Sequence, residues 1–453
     1  MEPASHGPEQ DTIAAIATPF GEGAIAILRL SGPQSIPIAA GIFRSRLPFA
    51  SLAPRAQRLG RIIDAAQVLD QVILSLHPAP ASYTGEDMVE LHCHGGILLT
   101  RRILDLLLAR GARLAEPGEF TRRAFLNGKM DLTQAEAVMD LIRAQTDLAL
   151  RAASGQLEGR LGRHIQSLRQ ALLSILAHIE AHIDFPDEDI DPATNTALLA
   201  RIDSLRAEVA RLLATADQGR ILREGLNTVI FGPPNSGKSS LLNRLLGFER
   251  AIVSPIPGTT RDTVEEVVNL RGIPVRLIDT AGIRPSTDDL ENAGIQRTRH
   301  VLARAALILQ IADATLPPPR HDDLPPHTRA LLLLNKCDLP IHPAWSPVQD
   351  AIRISCKTGA GFDTLTQAIF DAAMQGRATP DDHLIAINAR HQSCLTAAST
   401  SLDAARQSLA QNLSPEFIAI ELRAALTAIG EVAGRLDTEE LLGEIFSTFC
   451  IGK

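Results

Sequence analysis

Residues 229–242 read VIFGPPNSGKSSLL. The apolar run Val229-Ile230-Phe231 leads into Gly232-Pro233-Pro234-Asn235-Ser236-Gly237-Lys238-Ser239, and a helical run, Ser240-Leu241-Leu242-Asn243, follows. This is G-x-x-x-x-G-K-[ST] in the strand–loop–helix context the motif requires. The glycines let backbone N–H groups curl around phosphates, and the helix N-terminus adds positive potential. Lys238 is then placed to reach the β- and γ-phosphates and Ser239 to hold Mg²⁺.

Working outward, residues 220–378 alternate strand and helix signals with short turns, the pattern of a doubly wound parallel sheet. Leu331–Leu334 reads as a strand and delivers Asn335-Lys336-Cys337-Asp338. A carboxylate such as Asp338 accepts two hydrogen bonds from the N1–H and N2–H₂ edge of guanine. Adenine offers no such pair and would leave a buried charge unpaired. Ser355-Cys356-Lys357, after the strand Ala351–Ile354, fits the loop that backs the base. Asp279-Thr280-Ala281-Gly282 ends the strand Val275–Ile278. Asp279 there suits the Mg²⁺ shell, and the Gly282 amide suits the γ-phosphate. Between these lies Gly258-Thr259-Thr260-Arg261-Asp262, where a Thr hydroxyl ligates Mg²⁺ when the γ-phosphate orders the loop. Four elements in this order imply a GTPase. Ile283 occupies the place of the water-orienting Gln of a Ras-type switch and cannot do its work, so something else must position water and offset transition-state charge. Asn235 is a candidate ligand for a monovalent cation beside the β–γ bridge. Cys337 and Cys356 read as small space-fillers.

The remainder bounds the architecture. The 453 residues suggest about three domains. An apolar content of 45% with only 3% aromatics calls for aliphatic cores and excludes disorder and disulfide scaffolds. The net charge of −8 argues against indiscriminate coating of nucleic acid. Five scattered cysteines without a C-x-x-C pair, no signal-peptide pattern and no long apolar run imply a cytoplasmic protein with free thiols and no membrane association. Residues 12–128 mix signals: Ala24–Leu30, Val72–Leu76 and Met88–His92 read as strands, and about 97–110 as a helix ending at Gly111. From Thr133 and Glu136, which have capping-box spacing, a helical pattern continues to Ile183 and resumes over about 196–217. After Pro380 it returns over about 384–411, from Pro415, and over about 437–448. Helices on both sides of the α/β unit imply an inserted domain.

GPPNSGKSS, SPIPGTTRD, DTAGIR and NKCD, with the tail FSTFCIGK, resemble the MnmE (TrmE) family of tRNA-modifying GTPases. So do the upstream stretches ATPFGEGAIAILRLSG, SYTGEDMVELHCHGG, EPGEFTRRAFLNGKMDLTQAEA and IDFPDEDID. The likeness spans essentially the whole chain. It implies a multidomain α+β and α/β protein in four segments. These are a folate-binding-like dimerisation domain (1–128), a helical part (129–219), an inserted Ras-like P-loop GTPase domain (220–378), and a second helical part carrying CIGK (379–453). It also implies a K⁺-activated, homodimeric enzyme. K⁺ would be held by Asn235, Ser254, Ile256 and Thr259, and Mg²⁺ by Ser239 and Thr260. Catalytic roles fall on Lys238, on Glu291 as organiser of the water, and on Cys450. GTP would contact Asn235 through Ser240, Ser254-Pro255-Ile256-Pro257-Gly258-Thr259-Thr260, Asp279 through Gly282, Asn335, Lys336, Asp338, and Ser355 through Lys357. A folate one-carbon donor, 5-formyltetrahydrofolate or a relative, would bind Arg29, Glu90, Lys129 and Lys453. The family acts on C5 of the wobble uridine of certain tRNAs, with a flavoprotein, MnmG (GidA), that brings FAD and uses NADH.

Several residues carry a second reading. Arg29 and Glu90 on predicted strands equally suit a cross-strand ion pair. His92-Cys93-His94 has ligands on one face and no second cluster to complete a metal site. Arg101-Arg102 and Arg122-Arg123 suit either tRNA phosphates or a solvated helix face. Glu291 alone suits a solvated helix start. A GTP-gated RNA or ribosome assembly factor without modification chemistry would carry the same G motifs.

Overall fold

A computed structural model describes residues 11–184, 195–247, 265–279, 302–319, 329–374, 385–434 and 439–453. The chain divides into two compact units, residues 1–139 with 430–453, and residues 140–429.

The first unit is built on a seven-stranded sheet. Its strands are β1 (Ile13–Ile16), β2 (Gly23–Ser31), β3 (Phe43–Arg44), β4 (Gln57–Asp64), β5 (Gln67–His77), β6 (Met88–Gly95) and β7 (Arg113–Leu114). They lie in the order β3-β4-β5-β6-β2-β1-β7. Alternation decides the faces. Ala26, Leu28, Leu30, Val72, Leu74, Leu91 and Cys93 turn one way and meet Ile38, Ile42, Ile103 and Leu107 of the helices Ser35–Ile42 and Ile97–Ala109. The opposite face carries two cross-strand rows. Leu59, Ile73, His92 and Ile27 stand in register, and beside them stand Gln57, Ser75, Glu90 and Arg29. The predicted strands are all present, each longer than its apolar run because the partner strands extend the ladder. His94 Nδ1 lies 2.7 Å from Asp70 Oδ1.

The helix Leu132–Arg143 starts one motif earlier than the capping reading. Asp131 Oδ1 accepts from the Gln134 backbone N–H at 2.9 Å, and the Gln134 side chain accepts from the Asp131 N–H at 3.0 Å. Asp131 and Gln134 therefore form the reciprocal box, and Thr133 donates to Asp131 instead.

The long helical pattern expected to run on to Ile183 is three pieces, of which Leu132–Arg143 is the first. Helix Asp147–Leu157, capped by Thr146, is followed by Arg160–Asp184, and Gly159 at φ +78 turns the chain between them. Helices Asn195–Leu213 and Ala389–Ala410 pack side by side, with Asp203 paired to both Arg206 and Arg406. The inserted sheet contains β8 (Leu226–Phe231), β9 (Glu265–Leu270), β10 (Ile273–Asp279), β11 (Leu307–Asp313), β12 (Ala330–Asn335) and β13 (Ile352–Arg353). Its order is β13-β12-β11-β8-β10-β9, parallel except for β9. The nearly continuous apolar runs of β8, β11 and β12 follow from burial on both faces.

Candidate functional site

The strand order reverses between β8, β11 and β10, and open α/β sheets bind ligands beyond the carboxyl ends of their strands at such a point. The loop after β8 enters helix Lys238–Leu246 here. Two of its glycines are obligatory. A Cβ on Gly232 would sit 2.1 Å from the Ile311 carbonyl oxygen, and one on Gly237 (φ +104) would sit 2.2 Å from Asn335 Nδ2. Asn235 holds φ +61, the left-handed region an Asn side chain tolerates. Ser236 Oγ donates to the Pro233 carbonyl, and Lys238 Nζ donates to the Gly232 and Pro233 carbonyls at 2.9 and 2.7 Å.

Asn335 locks three loops together. Its Nδ2 donates to the Ser236 carbonyl at 2.9 Å, and its Oδ1 accepts from the Cys356 N–H at 3.0 Å. Asp338 Oδ1 accepts from Ser355 Oγ at 2.7 Å, and that hydrogen bond is the main reason the Asp338 carboxyl lies below its ordinary pKa. The Asp338 carboxylate is thus oriented and kept ionised, as reading a guanine edge would require. Burial pushes the Cys356 thiol up to about 11 and raises that of Cys337, so both stay protonated, as space-fillers should. Asp313, which sequence reasoning passed over, bonds Lys336; an acidic residue closing an apolar strand two positions before a Thr was the available signal. Ser254 to Thr260, Thr280 to Gly282, and Glu291 lie outside the described residues.

The first unit holds a second constellation. Arg29 and Glu90 are direct cross-strand partners, and both Nε and Nη2 of Arg29 donate to Glu90 Oε1, at 3.0 and 2.8 Å. The ion-pair reading of these residues therefore holds in this structure. Glu90 Oε2 faces Nε2 of His92 at 3.7 Å and of His77 at 4.0 Å. Both imidazole nitrogens are buried with no hydrogen-bond partner among the described residues. The Arg29 guanidinium lies over the rings of Tyr83 and Phe120, at 5.4 and 5.7 Å.

The chain's last residues close over this place. Ile451 bridges Pro117, Gly118 N–H donates to the Cys450 carbonyl, and Phe120 N–H donates to the Lys453 carbonyl at 3.1 Å. Gly452 (φ +95) lies against β1, where a Cβ would be 2.7 Å from the Ile16 carbonyl oxygen. Burial, and then the Arg29 charge, lower the pKa of the Lys453 ammonium, while Cys450 and Glu90 oppose them. Cys450 is exposed. Lys129 donates to the Pro80 carbonyl, on the loop that leads to Tyr83. Arg123 is no phosphate contact: it is 3% exposed and bonded to Asp11, Glu86 and Glu119.

Comparison with known proteins places the chain in a family. The family model for the GTP-binding protein TrmE N-terminus matches residues 12–129, and the model for the MnmE helical domain matches residues 132–450. The tRNA modification GTPase MnmE of Akkermansia muciniphila is 53% identical over 450 residues, covering 98% of this chain and 99% of that protein. Its counterpart in Geobacter sulfurreducens is 45% identical over 454 residues, with 98% and 99% covered. That of Geobacillus kaustophilus is 44% identical over 468 residues, with 98% and 100% covered. The chain belongs to the MnmE (TrmE) family of tRNA modification GTPases.

Proposed function

We propose that the protein hydrolyses GTP in the course of tRNA modification, as a K⁺-activated homodimer that works with a flavoprotein and a folate one-carbon donor. The observation that carries the GTPase reading is Asn335, which ties the phosphate loop to both loops that face the base. Oxygen donors dominate the sites assigned to metals, which suits Mg²⁺ and K⁺. Ser239 lies in the first turn of the helix after the phosphate loop, and Asn235 lies within that loop. A cation at Asn235 would offset transition-state charge as an arginine finger does.

The folate reading draws on the open face of the first sheet. Glu90 spends one oxygen on Arg29, and among the described residues no hydrogen bond uses the other. Arg29 and Lys453 supply cations for an anionic ligand, and Tyr83 and Phe120 supply aromatic walls. The ion pair and a ligand-binding role are compatible, because the pair orients both side chains. Leu59, Ile73 and Ile25 leave 59%, 39% and 64% of their surface exposed on the same face, which favours a second copy covering it.

Calorimetry with 5-formyltetrahydrofolate tests the donor. Binding to the wild type, weakened in Arg29→Ala and Glu90→Gln, is expected; absence of binding would leave an assembly factor as the better reading. GTP turnover several-fold faster in KCl than in NaCl is expected, and equal rates would remove Asn235 as a K⁺ ligand.

A further inference from the structure

Parallel pairing of β11 with β12 places Asp313 opposite Asn335, so two strand ends bring an acidic residue to the start of the guanine-reading loop. Both carboxylate oxygens of Asp313 are used. Oδ1 accepts from the Thr315 N–H at 2.9 Å and from Thr315 Oγ1 at 2.7 Å, a local turn that fixes the carboxylate plane. Oδ2 accepts from Lys336 Nζ at 2.5 Å. Lys336 itself has φ +66, a left-handed conformation that points a non-glycine residue to a specific task. The turn is also buttressed from behind. Ala314 N–H donates to the Asn335 carbonyl, His342 N–H donates to the Ala314 carbonyl, and Trp345 Nε1 donates to the Leu316 carbonyl at 2.7 Å. Trp345 is the chain's one tryptophan, packed among Ala312, Ala314, Leu334 and Cys337.

We propose that Asp313 is a positioning residue of the nucleotide site, holding Lys336 so that its methylene stem is ready to lie on the face of the base whose edge Asp338 reads. The proposal rests on the guanine reading of Asn335–Asp338. Its physical content is preorganisation. A lysine is among the side chains with most rotamer freedom to lose, and a bond made on folding removes that loss from the binding step. Burial raises the Asp313 pKa, and the Lys336 and Thr315 bonds more than reverse this, so the carboxylate stays charged and the bridge persists at neutral pH. The ion pair sits at the base end of the site, while Lys238 and Ser239 serve the phosphates. Loosening the bridge therefore reaches affinity and not the chemical step.

The test uses the full chain, with GDP affinity read by Trp345 fluorescence and GTP turnover in parallel, for Asp313→Asn, Lys336→Met and the double variant. Asp313→Asn retains an oxygen for Thr315, so the turn survives. It is expected to raise the GDP Kd and the GTP KM about five- to tenfold with kcat at saturation unchanged. Asp313→Glu, which keeps the charge, should restore part of the loss. In the Lys336→Met background, Asp313→Asn should have no further effect. Wild-type affinity in Asp313→Asn, an undiminished effect in the Lys336→Met background, or a fall in kcat at constant KM would each overturn the proposal. ADP binding as tightly as GDP to the wild type would instead overturn the guanine reading beneath it.

Discussion

Replacing Asn335 by Ala removes the clamp that joins the phosphate loop to the base loops. The side chain is 3% exposed and makes two hydrogen bonds, of 2.9 Å to the Ser236 carbonyl and 3.0 Å from the Cys356 N–H. A net hydrogen bond is worth about 1 kcal/mol, and leaving a buried partner unsatisfied raises the loss to about 1–3 kcal/mol. Because water can reach the half-buried Cys356 N–H, the lower end applies there, and about 2–3 kcal/mol in total is reasonable. At 1.4 kcal/mol per decade this weakens GDP roughly 30- to 150-fold, if the clamp holds only in the binding-competent arrangement. Equilibrium titration with a fluorescent GDP measures it, with thermal melting as a check that the sheet still forms. Asn335→Asp sharpens the argument. It preserves the acceptor for Cys356 but sets a carboxylate oxygen against the Ser236 carbonyl, so it should bind GDP no better than the Ala variant. An affinity within twofold of wild type in Asn335→Ala would refute the idea that this residue couples the loops.

Three further outcomes are expected. Asp338→Asn keeps an oxygen for Ser355 but presents an N–H₂ to the base, so GTP should lose about a hundredfold in KM while XTP gains, a reversal that competitive turnover assays would detect. Gly452→Ala must either flatten a φ of +95 or push a Cβ onto the Ile16 carbonyl. The tail should detach, with faster proteolysis after Phe449 and loss of folate binding; unchanged cleavage would contradict the close packing. For Glu119, burial raises the carboxyl pKa, but bonds from Arg113, the Glu116 backbone and Arg123 leave it lowered overall, so its stabilisation exists above the ordinary carboxylate range and disappears as pH falls through the folded value. Glu119→Gln, which removes one of the three carboxylates bonded to Arg123, should cost about 1–3 kcal/mol at pH 7. The gap to wild type should narrow towards pH 3, and a constant gap in urea titrations would show that the charge is not the cause.

The phosphate loop and the Asn335–Asp338 motif were legible because their chemistry is local: each needs a short strand and a few fixed residue types in a row. The strands of the first unit were legible for the same reason, through Ile, Val and Leu runs. What escaped is what depends on neighbours. The break at Gly159 was hidden because Arg160–Asp184 keeps the helical period of the preceding stretch. Asp313 acquires its meaning only when β11 and β12 align. The Asp131 box was obscured by a second match two residues later, at Thr133. Arg123 looked like surface because arginine usually is. Three carboxylates on separate segments, each innocuous in sequence, bury it.

The bridge from Pro117 to Ile451 and the seating of Gly452 on β1 set an order on biosynthesis. Domains emerging from the ribosome generally fold as units, first made first. Here the earliest strands can pair soon after they emerge, yet the cover over Arg29 and Glu90 consists of residues 450–453, far downstream in the chain. Everything between, including the whole nucleotide-binding sheet, is translated before those few residues arrive. The cost of closing so long a loop grows only with the logarithm of its length, so the delay is one of timing more than of free energy. The place beside Arg29 is therefore completed only after the nucleotide-binding sheet has been translated.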